Sequence, residues 1–114
     1  MFRSCVVTTF VVTLKRPYPA SAVFEWHEAK ARSNLAKHGL SFENACRVFS
    51  DAFRLECVDR QSSTEVRFRT IGLVSSVVLV VVYTMRGEVI RIISAREAVR
   101  HEIRHYWQNA AAFL

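Results

Sequence analysis

The stretch Glu65–Ser94, EVRFRTIGLVSSVVLVVVYTMRGEVIRIIS, decides the fold, because in it the spacing of apolar residues is two. Across Glu65–Leu73, Val66, Phe68 and Thr70 point one way and Glu65, Arg67 and Arg69 the other, as in a pleated strand with one face toward a core. Ser75-Ser76 turns the chain into Val77–Thr84, whose unbroken apolar run suits a central strand covered on both sides. Arg86-Gly87-Glu88 turns it again into Val89–Ser94. Upstream, Arg54–Arg60 alternates more loosely around Leu55 and Cys57. Four antiparallel strands in a meander follow.

Outward from this meander the period lengthens. Glu28–His38 has helix-forming composition and stops at Gly39, the residue expected just past a helix C-terminus. Lys30, Asn34 and His38 share one stripe of it. Ser41 can cap a second helix carrying Phe42, Ala45, Cys46 and Phe49 at helical spacing. After the strands, Ala95–Gln108 reads as a helix with the apolar stripe Ala95, Ala98, Val99, Ile103 and Tyr106. Residues 23–26 can form a short strand. Two helices, four antiparallel strands and a closing helix make an α+β fold.

The chain has 114 residues, 51% of them hydrophobic, with only 3 Gly and 2 Pro. That is one domain with a core, not a disordered chain. Its longest unbroken apolar run, Val77–Tyr83, is far short of the ~20 residues of a membrane span, so no membrane role is expected. Three widely spaced cysteines, Cys5, Cys46 and Cys57, form no C-x-x-C pair. Neither zinc knuckle nor redox motif is indicated, and Cys46 and Cys57 read as small hydrophobes in a reducing, cytoplasmic setting. Residues 1–23 stand apart as an N-terminal extension to a domain over 24–114. Cys5–Leu14 could be an added edge strand, a signal peptide cut near Ala20-Ser21-Ala22, or sequence upstream of a true start such as Val23.

Sixteen Lys+Arg against ten Asp+Glu leave a formal charge of +6, and thirteen of the sixteen cations are Arg. The planar guanidinium fork suits phosphate and carboxylate, so a polyanion such as nucleic acid, or an acidic protein, is the expected partner. An Arg-rich codon usage would leave the same skew. Of Arg67, Arg69, Arg86, Arg91, Arg96, Arg100 and Arg104, several are expected to converge near the strand ends and the start of the last helix. Arg100 and Arg104 read equally as a solvated helix face. Glu102 falls on the apolar stripe of that helix, where a carboxylate needs a cation, and a strand arginine is the expected anchor. His101-Glu102-Ile103-Arg104-His105 spells H-E-x-x-H, the zinc-protease pattern. A third zinc ligand is missing, since none of the nine residues after it is His, Asp, Glu or Cys, so no metal and no cofactor are expected.

Phe24-Glu25-Trp26, Lys30, Asn34, Lys37-His38-Gly39, Ser41-Phe42-Glu43, Ala45 and Val48-Phe49 resemble the opening of BrnT-type toxins. Glu65-Val66-Arg67-Phe68, Ile71-Gly72, Val82-Tyr83-Thr84, Arg86-Gly87 and Arg91-Ile92-Ile93-Ser94-Ala95-Arg96 resemble the family's most distinctive stretch, and Glu102 and Tyr106 its closing helix. His27 stands where the family has Asp, and the segment 1–23 has no counterpart. The resemblance implies a RelE-like fold and a growth-inhibiting ribonuclease toxin of a type II toxin–antitoxin pair. It implies an RNA substrate and a BrnA-like antitoxin with a ribbon-helix-helix domain, DNA being met only through that antitoxin. It places catalytic candidates at Glu65, Arg67, Arg86, Arg91 and Arg96, with Lys30 and His38 as additions; Lys30, Lys37, His38 and Arg69 are the RNA-binding candidates.

Overall fold

The computed structural model describes residues 22–59 and 65–112; the readings of residues 1–21 and of Arg60 lie outside the described residues. The elements run β1 (Val23–Trp26), α1 (Glu28–His38), α2 (Phe42–Ala45) continued by a 3₁₀ turn over Cys46–Ser50, β2 (Leu55–Asp59), β3 (Arg67–Val74), β4 (Val77–Arg86), β5 (Val89–Glu97) and α3 (Arg100–Ala111). The strands form one sheet in the order β1-β5-β4-β3-β2. β2 to β5 are the expected antiparallel meander. The sheet nevertheless has five strands and is mixed, because β1 lies parallel to β5 with Val23–Trp26 opposite Val89–Ile92. Val23, read as part of the extension, is the first residue of that strand.

Two helices differ from the sequence expectation. The second helix is one α turn followed by a 3₁₀ turn, and Phe42, Ala45 and Val48 are buried at the 3₁₀ spacing of three. The closing helix does not begin at Ala95. Asn34, buried on α1, donates to the carbonyls of Ala95 (2.8 Å) and Leu40 (3.0 Å) and accepts from the N–H of Ala95 (3.1 Å). That amide bonds the backbone of Ala95 as a neighbouring strand would, so β5 continues to Glu97. α3 then buries Glu102, Tyr106 and Ala110, while Val99 and Ile103 face solvent.

One face of the sheet packs on α1, α2 and the 3₁₀ turn through Phe42, Val48, Phe49, Leu79, Val81, Tyr83, Ile90 and Ile92. Phe49 meets Tyr83 edge to face at 5.0 Å. The other face is covered by α3 only over Leu55, Ile71, Val78 and Val80, where Tyr106 and Ala110 descend. Asp51 fastens this end: its Oδ2 accepts from the Tyr106 hydroxyl (2.6 Å) and the Leu73 N–H (2.8 Å), its Oδ1 from the Phe53 N–H (2.9 Å). Burial first, then hydrogen bonding to Asp51 and its charge, pushes the Tyr106 phenol well above its usual pKa. Cys46 is a half-buried free thiol, pushed up to about 11 by burial and by Glu43. Cys57 is buried in β2, as a small core residue should be, and it is disulfide-bonded and not a free thiol.

Gly72 marks the tightest approach between the sheet and the 3₁₀ turn. A Cβ there would lie 2.6 Å from Cγ2 of Val48 and 3.2 Å from Cβ of Arg54. Gly72→Ala should therefore cost about 1–3 kcal/mol through overpacking, read as a lower denaturation midpoint; a midpoint equal to wild type would show that Val48 moves aside freely.

Candidate functional site

Alternation along the strands places the arginines. In β3, Phe68 packs with the first core and Ile71 with the second, so Arg67 and Arg69 stand on the second face. In β4 and β5, Tyr83, Met85, Ile90 and Ile92 belong to the first core, which puts Thr84, Arg86 and Arg91 on the second face. Glu25 joins them between Phe24 and Trp26. The Cα register aligns Asp59 with Arg67, Thr84 with Arg91, and Arg91 with Glu25. β3 and β5 are separated by β4 alone, so Arg67 and Arg91 rise from backbones two strand spacings apart, about 10 Å.

A bulge determines what lies beyond Arg91. Val82 pairs with Ser94 and Tyr83 with Ile92, which leaves Ile93 as the extra residue. The inserted residue reverses the alternation, so Ala95 enters the first core and Arg96, opposite Val80, faces α3.

Each guanidinium of the open face has a carboxylate. Arg67 Nε lies 3.3 Å from Glu65 Oε2, Arg69 Nη2 3.3 Å from Asp59 Oδ1, and Arg91 Nη1 3.0 Å from Glu25 Oε2, with Arg86 Nε 3.8 Å from the same oxygen. The pairing lets one surface carry four guanidinium groups. Except at Arg69 the partners are partly solvated, with Arg86 61% exposed, and exposed pairs of this kind contribute only about 0–1 kcal/mol. Such carboxylates can be displaced by a phosphate, which accepts bidentate bonds from the same forks.

Arg96 is different. Its Nη1 and Nη2 donate to Oε1 and Oε2 of Glu102 at 2.8 and 2.9 Å, and Oε1 also accepts the N–H of Val99 at 2.8 Å. The expected anchor of Glu102 is thus Arg96. Burial works to raise the Glu102 pKa, but the Arg96 and Val99 hydrogen bonds and the Arg96 and His101 charges hold it below the ordinary carboxylate range. The hydrogen bonds to Glu102 raise Arg96 above its usual value, against the opposing effect of burial. Arg96, a catalytic candidate in the sequence, therefore sits in a structural clamp instead of joining the open arginines. The same clamp occupies the residue that would serve as base in the H-E-x-x-H pattern. Among the described residues no cluster of three His, Cys, Asp or Glu could hold a metal.

Three of the RNA-binding candidates meet elsewhere. Lys30, Lys37 and His38 line a cleft of about 300 Å³ between α1 and β5 with Ser33, Asn34, Ile93 and Ser94. Because β1 ends at Trp26, this stretch of β5 has no strand beside it on that side, and α1 covers it instead. Arg69 stays on the sheet face. Ser94 connects the two places, being opposite Val82, which is itself opposite Arg69. His27 begins α1 without a side-chain cap. Glu25 and Asp59 were absent from the candidates. Alternation with Phe24 and Trp26 gives the face of Glu25, but only the parallel pairing reveals its partners.

A small α+β domain with an arginine-bearing sheet face and a lysine-lined cleft beside it has the build of a polyanion-binding protein. The sequence profile described as "Ribonuclease toxin, BrnT, of type II toxin-antitoxin system" matches residues 26–102, and the chain belongs to that family. Among solved structures it is similar to the ribonuclease toxin BrnT of Brucella abortus, with a TM-score of 0.52 and 25% identity over 68% of this chain and 99% of that one. No curated protein sequence matches it significantly.

Glu102→Gln should lower stability by about 1.5–3 kcal/mol, toward the smaller value because Arg96 is partly exposed. The sign with pH is fixed by the depressed folded pKa. The carboxylate's contribution is complete above the unfolded value of about 4.3 and is lost as pH falls through the lower folded value. The variant should therefore show a flatter acid limb in a plot of melting temperature against pH; an unchanged limb would assign the acid sensitivity to another group.

Proposed function

We propose that the chain is a metal-independent endoribonuclease toxin whose phosphate site is the open half of the second sheet face. The observation that carries this reading is the pair Arg67 and Arg91, on one face and two strands apart, each held by a half-exposed carboxylate. RNA contains its own nucleophile. The 2′-OH loses its proton, its oxygen bonds the adjacent phosphorus, and the P–O5′ bond breaks to leave a cyclic phosphate and a 5′-hydroxyl. Negative charge grows on the phosphate oxygens along this path, and guanidinium groups offset it without a metal. Arg67 and Arg91 hold the phosphate, with Arg86 moving in from its loose contact with Glu25. Glu65, beside Arg67, takes the 2′ proton; His38 in the cleft is the alternative base. Arg cannot fill that role at neutral pH, its pKa exceeding 12.

Arg69, Lys30 and Lys37 bind flanking parts of the RNA, and Arg96 positions β5 against α3. The cognate antitoxin is BrnA-like, with a ribbon-helix-helix domain that supplies the only contact to DNA, and an acidic segment of it suits the arginine face. No helix of the described residues is long and apolar enough to cross a membrane.

The rival reading is a binding module that breaks no bond, and the carboxylate on every open arginine favours it. RNA incubated with the protein in EDTA separates the two: cleavage to 5′-hydroxyl ends supports the nuclease, whereas intact RNA supports the module. Arg91→Ala should reduce cleavage about 10²–10³-fold with the fold retained, as expected for loss of one transition-state donor. Full cleavage and full growth arrest by that variant would remove Arg91 from the site.

A further inference from the structure

The closing helix carries a surface that its fold does not use. Val99, Ile103 and Trp107 recur every fourth residue and are 48%, 37% and 49% exposed. They form one stripe beside the buried line Glu102–Tyr106–Ala110. Trp107 touches its own neighbour, with its ring edge to face against Tyr106 at 5.0 Å, and leaves half its surface to water. Scattered apolar residues on a surface are ordinary, but a helical line of three that includes a tryptophan has the composition of surfaces that partners cover.

The charges beside the stripe are of one sign. Arg100 and Arg104 are exposed and follow Val99 and Ile103 directly, so they border the stripe on the side away from the core. Among the described residues no carboxylate lies within ion-pair distance of either, unlike Arg67, Arg69, Arg86, Arg91 and Arg96. An apolar line edged by two unpaired guanidinium groups fits a segment with the opposite arrangement: apolar residues at helical or strand spacing flanked by Asp or Glu. RNA offers phosphates but no aliphatic surface for Val99 and Ile103, so a protein is the better match. Membership of a type II toxin–antitoxin family supplies a protein partner.

We propose that the Val99–Ile103–Trp107 face of α3, with Arg100 and Arg104, is a docking surface for an acidic amphipathic segment of the cognate antitoxin. This rests on the existence of that partner. It does not require the arginine face of the sheet to be a nuclease site.

The test uses the full chain co-expressed with the protein encoded by the adjacent gene. Trp107→Ala should weaken the complex about 30-fold, the factor carried by a hot-spot tryptophan. The pair Arg100→Glu/Arg104→Glu should weaken it as well, with a reduced salt dependence of binding. In a Trp26→Phe background, the fluorescence of Trp107 should shift to the blue as complex forms. Both variants should stay folded and keep RNA cleavage, because none of the three positions is buried or faces the sheet site; Trp107→Ala should melt slightly lower for loss of its contact with Tyr106, and Arg100→Glu/Arg104→Glu should melt as wild type. Wild-type affinity in both variants would overturn the surface while leaving the partnership intact. No binding by the unaltered chain would overturn the partnership itself. Concentration-dependent dimerisation abolished by Ile103→Asp, with antitoxin affinity unchanged, would assign the stripe to a second copy of this chain and also overturn the proposal.

Discussion

The clamp between Arg96 and Glu102 determines which part of the sheet is covered and which is left open. Glu102 is almost completely buried, and an unpaired carboxylate there would be too costly to keep ionised. Two parallel hydrogen bonds from Arg96 and one from the Val99 N–H saturate it. The same three bonds start α3, fix it to the end of β5, and let Tyr106 and Ala110 descend on Ile71 and Val80. α3 thereby protects one half of the second sheet face. The other half keeps Arg67, Arg69, Arg86 and Arg91.

Four guanidinium groups on one surface would repel each other if nothing offset them. Glu25, Asp59 and Glu65 provide that balance, but by different degrees of confinement. The Arg69–Asp59 pair is nearly enclosed, whereas Arg67 and Arg91 hold partners 39% exposed to water. Water screens the outer pairs, so their carboxylates hold Arg67 and Arg91 only weakly. The cleft between α1 and β5, lined by Lys30, Lys37 and His38, lies at the edge of the sheet. It exists because β1 is only four residues long.

The exposed line on α3 has its origin in the same clamp. Once Arg96 fixes Glu102 inward, residues at the 102, 106 and 110 positions turn to the sheet, and Val99, Ile103 and Trp107 rotate to its flank. Apolar residues that would suit a core are thus left at the surface, in a family whose members act with a protein antitoxin.

Periodicity in the sequence was enough for the meander, for α1 with its Gly39 terminus, for an α+β class, and for the need of Glu102 to find an arginine. These features are local, or follow from the cost of burying a charge. Resemblance carried the family. Three further features depend on contacts between residues far apart in the chain. β1 pairs with β5 across some sixty residues, and a four-residue strand has too short a pattern to announce its partner. The bulge at Ile93 reverses the alternation of β5, so Arg91 and Arg96, an odd number apart, stand on the same face in different surroundings. Asn34 takes the backbone of Ala95 and holds it in the strand, against its helical propensity. The sequence therefore determined which charged residue types were present. Only the tertiary structure decided which guanidinium groups stay open and which one holds a helix, since that depends on which carboxylate the packing brings within reach.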